Sequence, residues 1–212
     1  MRFALPKGRL LVGVTDLLSR AGLTFRFESD RDYSGEGSLP GVSGKLIKAR
    51  AVPQMVALGN FEVGFCGLDL VRESDYEQVV PLLDLGLNGV LIVVAVPRAR
   101  ADILQNPPRR PLLIATEYER LADAWALKHG LAHITIQTHG STEAYVPEDA
   151  DIIVECVETG RTLEANDLVA VEELFPSTTH LVANRTALQD PQTGAEIRAW
   201  VDKLQSHCRG RF

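Results

Sequence analysis

This sequence predicts an α/β fold with a largely parallel sheet, on three observations. Apolar, β-branched runs alternate with segments of helical periodicity along the chain. The helical segments stop at glycines: Gly22, Gly59 and Gly130. Of the 212 residues, 45% are hydrophobic and 24% charged, enough apolar side chain to bury a core.

The first strand is expected over residues 2–5. A helix over residues 10–21 follows at once, with Leu10, Val14, Leu17, Leu18 and Ala21 on one face. The glycine-rich stretch 34–43 reads as a loop or hairpin turn. Next come a strand at 46–50, a short helix at 52–58, a strand at 63–66 and the longest apolar run, a strand at 90–96. Pro107, Pro108 and Pro111 force an extended connector over 106–111, because proline suits neither a helix interior nor a ladder. Strands at 112–115, 134–138, 152–156 and 181–184 follow, with a helix at 120–129. The two β/α sets part near residues 86–90, which suggests two lobes.

Charge and composition narrow the function. A net charge of −6 and a pI near 5.4 argue against broad nucleic-acid binding, so any anion site must be a local basic cluster. Cys66, Cys156 and Cys208 have no CxxC spacing and read as reduced. The chain enters its first strand without a signal-peptide apolar region, and the run at 90–96 is far too short to span a bilayer. A soluble, cytoplasmic protein is expected.

Residues 151–168 carry the strongest chemical signal. The run Ile152, Ile153, Val154 bears Glu155 and empties into the turn Glu158-Thr159-Gly160-Arg161-Thr162, after which Leu163 to Asn166 favour a helix. Free N–H groups at a helix start attract anions, glycine lets backbone approach closely, and threonine adds hydroxyl donors. The turn could therefore hold a phosphate, or be an ordinary strand–helix loop. Asp151 and Glu155 are too negative to touch phosphate and suit ribose hydroxyls or a Mg²⁺ on a polyphosphate. Lys7-Gly8-Arg9, at the junction of the first strand and helix, forms a second candidate anion site. Arg31, in Asp30-Arg31-Asp32, and Lys48, near Arg50, add cations near predicted strand ends; surface charge is the alternative reading. His129 and His133 are separated by the helix-breaking Gly130, which argues against a shared metal.

LPKGR at residues 5–9 and TGRTLEAN at 159–166 occur with GFCGLDL at 64–70, DLGL at 84–87, IATEY at 114–118 and GSTE at 140–143. In this order they resemble the catalytic subunit of ATP phosphoribosyltransferase, short form, from about residue 2 to residue 185. The resemblance implies a two-lobed architecture like type II periplasmic binding proteins, with the active site in the inter-lobe cleft. Lobe I would hold residues 1–87 and 184–212, and lobe II residues 88–183. It implies that ATP and phosphoribosyl pyrophosphate, with Mg²⁺ carried by the substrate, give N1-(5-phosphoribosyl)-ATP and pyrophosphate, the first step of histidine biosynthesis. Asp151, Glu155, Glu158, Thr159, Gly160, Arg161 and Thr162 would bind phosphoribosyl pyrophosphate. Lys7, Gly8, Arg9, Arg31, Lys48 and Asp69 would meet ATP or pyrophosphate, with Lys7 and Lys48 catalytic. A homodimer within a hetero-oligomer is implied, its regulatory subunit resembling a histidyl-tRNA synthetase. The chain departs from the family where Ala51 replaces an aspartate and where no arginine follows Gly89. A related protein that keeps the anion site without turnover is the alternative.

Overall fold

In a computed structural model of the chain, residues 1–29 and 31–208 are described. The chain divides into two compact units, Met1–Gly89 with Thr178–Phe212, and Val90–Ser177.

The first unit is built around β1 (Arg2–Lys7), whose four central residues are buried. It lies parallel to β4 (Ser43–Lys48) on one side and to β5 (Val63–Gly67) on the other. A hairpin of β2 (Phe25–Arg26) and β3 (Ser34–Gly37) extends the β4 side, with β3 antiparallel to β4. Beyond β5 lies β10 (Leu168–Asn184), antiparallel to it through Thr179–Ala183. Successive residues of β1 point to opposite faces. Phe3 and Leu5 pack with Leu17 and Leu18 of α1 (Arg9–Arg20) and with Ile197, Trp200 and Leu204 of α7 (Pro191–Gln205). Ala4 faces the other way, onto Val52 and Val56 of α2 (Val52–Ala57). The Phe3 ring stacks on Phe65 at 6.3 Å and meets Trp200 edge-on at 5.8 Å. Burying a side chain of this size contributes on the order of 1.5–3 kcal/mol. The remaining helices are α3 (Leu68–Ser74) and α6 (Arg185–Gln189). Asn184 caps α6 by accepting from the Ala187 N–H at 2.9 Å, and Asp190 caps α7 by accepting from Thr193 at 2.7 Å.

The second unit orders its strands β6 (Val79–Pro97), β9 (Ile152–Val157), β7 (Leu112–Thr116) and β8 (His133–Gln137). β9, β7 and β8 run parallel, and β6 runs antiparallel to β9. Helices α4 (Glu119–Lys128) and α5 (Arg161–Ala165) belong to this unit. Val93, Ala95, Ala115, Ile153 and Leu163 form part of its core.

The expected strands and helices are present, with two differences. β6 has 19 residues and β10 has 17, far longer than the apolar runs at 90–96 and 181–184 that announce them. Both run antiparallel to a neighbour, so the sheet is mixed rather than uniformly parallel. Among the described residues no helix is long and apolar enough to cross a membrane.

Candidate functional site

In the first unit the strand register assembles a cation cluster. Lys7 and Lys48 end adjacent parallel strands and stand opposite each other. Neighbouring strands lie about 4.8 Å apart, so two exposed ammonium-bearing residues share one sheet edge. The Lys7 Nζ sits 4.2 Å from the centre of the Tyr33 ring, a cation–π contact that holds it without neutralising it. Gly8, at φ 84° and ψ −142°, turns the chain from β1 into α1, a backbone state that L side chains avoid. Arg9 is the first residue of α1, and Gly8 and Arg9 are both exposed. Arg31 is exposed, and its N–H donates to the Ser29 hydroxyl at 3.3 Å; Asp30 lies outside the described residues. Arg50 sits in the short 3₁₀ turn Ala49–Ala51 that leads into α2.

Asp69 is more deeply placed than these cations. It opens α3 but is only 7% exposed, and its carboxylate folds over Gly67, where an added Cβ would stand 2.0 Å from Oδ1. It is a buried acid in the first turn of α3. Burial, reinforced by the charge of Asp69, pushes the neighbouring Cys66 thiol well up, so Cys66 stays protonated and inert.

The second unit carries the phosphate-loop candidate. β9 ends at Val157, and Glu158 and Thr159 lead to Gly160, which takes the left-handed conformation at φ 77° and ψ −9° before α5 begins. The first helical bond runs from the Glu164 N–H to the Gly160 carbonyl at 3.0 Å, so the N–H groups of residues 161–163 precede the ladder. The Asn166 side chain donates to the Thr162 carbonyl at 2.8 Å and closes the short helix. Leu163 anchors the turn in the core, while Thr159, Arg161 and Thr162 are exposed. Hydroxyls, a guanidinium and backbone N–H groups are thus gathered on an exposed turn fixed from below.

Glu155 lies two residues before the end of β9 and is half-buried. Its Oε1 accepts from the Cys156 N–H at 2.8 Å. Burial pushes its carboxyl above the ordinary glutamate range. The hydrogen bonds from Thr142 and Cys156 oppose that rise without cancelling it, and the charge of Glu143 adds to it.

Asp151 lies away from this turn. It precedes β9, whose six residues at about 3.3 Å each span roughly 20 Å, so it lies at the strand end remote from the turn. Its side chain, 8% exposed, accepts a fork from Arg110 at 2.6 and 2.9 Å and a third bond from the Leu113 N–H at 2.9 Å. Burial alone would raise this carboxyl; the Arg110 fork, the Leu113 bond and the charges of Arg110 and Arg100 hold it below the usual range. Asp151 fastens the proline-rich connector to the sheet. The histidines also separate: His129 pairs with Glu172 at 2.9 Å and His133 with Asp123 at 3.0 Å. Among the described residues no group of three or more His, Cys, Asp or Glu is placed to hold a metal.

Sequence reasoning gave no role to Thr138 or Thr142, although it singled out the GSTE stretch that contains Thr142. Their hydroxyls lie 2.9 Å apart, buried beside Glu155, and only the folded contact exposes the connection.

Comparison with known proteins shows the family and the fold. The family model for ATP phosphoribosyltransferase matches residues 48–206. The ATP phosphoribosyltransferase of Symbiobacterium thermophilum is 38% identical over 188 residues, covering 87% of this chain and 85% of its own. That of Gluconobacter oxydans is 31% identical over 212 residues, covering 96% and 85%. Among solved structures, a chain of the ATP phosphoribosyl transferase (HisG:HisZ) complex from Thermotoga maritima superimposes with a TM-score of 0.85 at 27% identity, over 98% of each chain. The alkanesulfonate-binding protein SsuA of Xanthomonas axonopodis pv. citri, bound to MOPS, gives 0.55 at 12% identity, over 98% of this chain and 72% of its own. That likeness concerns the fold alone.

Proposed function

We propose a division of labour within this chain, which belongs to the ATP phosphoribosyltransferase family. The reaction joins ATP and phosphoribosyl pyrophosphate. Adenine N1 attacks the anomeric carbon, the new N–C bond forms, and the old C–O bond breaks with its electron pair leaving on pyrophosphate. The products are N1-(5-phosphoribosyl)-ATP and pyrophosphate, so the chain opens histidine biosynthesis. The transition state has oxocarbenium character, and such chemistry depends on positioning and charge stabilisation rather than a protein nucleophile.

The turn Thr159-Gly160-Arg161-Thr162, with Glu158 at its entrance, takes the 5′-phosphate. Its N–H groups and hydroxyls donate to phosphate oxygens, and Arg161 supplies charge. Glu155 meets the ribose hydroxyls. Lys7, Arg9, Arg31 and Lys48 neutralise the pyrophosphate and the ATP phosphates, and Gly8 lets the backbone approach. Lys7 and Lys48 act in catalysis as charge grows on the departing pyrophosphate. Mg²⁺ enters with the pyrophosphate as part of the substrate. The β9–Gly160–α5 turn, inside the family match, carries this reading.

The Thermotoga maritima complex supports assembly with a regulatory subunit, and we assign this chain the catalytic place in such a hetero-oligomer. The test mixes the chain with ATP, phosphoribosyl pyrophosphate, Mg²⁺ and pyrophosphatase, with and without a regulatory subunit, and follows product absorbance. Product formation is expected. Tight binding of phosphoribosyl pyrophosphate with no product under either condition would replace this reading with a binding protein that has lost turnover.

A further inference from the structure

Tyr33 is a large ring left 53% exposed beside the cation cluster, so burial alone does not account for it. It stands one residue before β3. The Leu46 N–H donates to its carbonyl at 2.6 Å, which carries the β3–β4 ladder one pair beyond Ser34 and Lys45. Residues opposite one another in a sheet point to the same face, and so do residues two apart in one strand. Leu46 faces Leu5 and Lys48 faces Lys7, so Tyr33, Lys48 and Lys7 share one face of the sheet. The Lys7 Nζ lies 4.2 Å from the Tyr33 ring centre, well inside the reach of about 6 Å over which a ring attracts a cation.

Lys7 needs such a hold. Ammonium groups at the ends of adjacent strands repel, and the flexible lysine stem lets each of them roam. A carboxylate would fix the ammonium but would also cancel the charge that a pyrophosphate requires. The face of an aromatic ring attracts the ammonium and leaves its charge whole. The backbone that carries the ring is itself tied to β4 at Leu46, two residues before Lys48. The ring is thus anchored to the same strand that ends in the second lysine.

We infer that Tyr33 is a positioning residue: its ring holds the Lys7 ammonium where it meets the pyrophosphate as that group departs. The inference rests on the assignment of Lys7 to the leaving pyrophosphate. Tyr33 acts through Lys7 by its aromatic face, and its hydroxyl takes no part. Charge that is already in place needs no reorganisation at the moment of reaction, so loss of the ring should appear in kcat rather than in either KM.

The experiment is a double-mutant cycle on the full chain, read in the assay above as kcat and as KM for ATP and for phosphoribosyl pyrophosphate. Tyr33→Leu keeps apolar bulk but removes the ring face, and should lower kcat by about fivefold, with each KM within about twofold of the parent. Tyr33→Phe keeps the face and should hold kcat within about 1.5-fold. In a Lys7→Ala background Tyr33→Leu should change kcat by less than about 1.5-fold, because its partner is gone. Unchanged kcat in Tyr33→Leu, or the same loss with and without Lys7, would overturn the inference. So would an equal loss in Tyr33→Phe, which would give the effect to the hydroxyl, or a rise confined to the KM for ATP, which would make the ring a platform for adenine. If Lys7→Ala alone leaves kcat unaltered, the assignment of Lys7 fails, a separate result from failure of the cycle. Should Lys7→Ala turn over too slowly to measure, the cycle is read by calorimetric titration with inorganic pyrophosphate and Mg²⁺. Tyr33→Leu should then weaken binding only where Lys7 is present, and equal weakening in both backgrounds would overturn the inference.

Discussion

The two ends of β9 carry acids that look alike in sequence and behave oppositely in the structure. Asp151 and Glu155 are four residues apart, which in a strand puts them on one face. At the first end, burial of Asp151 is outweighed by the Arg110 fork, and the carboxyl titrates low. At the second, burial of Glu155 outweighs a hydroxyl and an N–H, and the carboxyl titrates high. The protein has satisfied one charge and left the other wanting. A carboxylate already forked by arginine has nothing to gain from a ligand. One held by neutral donors gains from each further hydroxyl that reaches it, which is the condition of a substrate contact.

Changes at the second end should dominate binding. Gly160→Val should remove measurable affinity for phosphoribosyl pyrophosphate in a calorimetric titration while the chain remains folded. An added Cβ would meet no protein atom within 4 Å, but φ 77° is a conformation that a β-branched residue resists, so the turn would rearrange. A folded variant that binds normally would break the assignment of this turn. Glu155→Gln comes next, with an expected loss of about 10-fold or more in the same titration, since a neutral amide replaces a charged acceptor.

Asp151→Asn should do the reverse. Its melting temperature should fall by several degrees, while affinity for phosphoribosyl pyrophosphate stays within about twofold. Loss of affinity without loss of stability would return Asp151 to the site and erase the contrast.

The smallest expected effect is a pH dependence of opposite sign at the two ends. Asp151 has a depressed folded pKa, so its contribution to stability is present above its ordinary value of 3.8 and lost as pH falls through the folded value. Glu155 has a raised folded pKa, so its contribution is present below 4.5 and lost as pH rises through the folded value. Denaturant titrations should therefore find Glu155→Gln slightly more stable than the parent at neutral pH, with the advantage vanishing in acid. Asp151→Asn should be less stable at neutral pH, with its deficit vanishing in acid. The same sign for both variants would contradict the comparison.

What could be read from the sequence was whatever a local pattern encodes. The strand β9 and its turn were legible because Ile152, Ile153 and Val154 run straight into Thr159 and Gly160. The first parts of β6 and β10 were not. Asp84, Gly86 and Gly89 interrupt one, and Glu172, Glu173 and Pro176 the other, so backbone pairing rather than an apolar rhythm makes them strands. The two-residue β2 and four-residue β3 are too short to show any rhythm. Lys7 and Lys48 could each be picked out, but their facing positions depend on strand register. The Arg110 partner of Asp151 is not legible because it lies 41 residues earlier in the chain.

The long reach of β6 and β10 also sets an order of events as the chain is made. All the residues of the second unit, Val90–Ser177, are contiguous, so its four strands can pair as soon as they leave the ribosome. The first unit is older in synthesis and later in completion. Its β1 precedes the second unit in the chain, yet β5 lacks its antiparallel neighbour until Thr179–Ala183 exists, and Phe3 lacks the Trp200 ring until that residue is made. Until then the apolar face of β1 and α1 lacks the cover of Ile197, Trp200 and Leu204. The half that carries the cation cluster is therefore the half that waits for residues made after the other is complete.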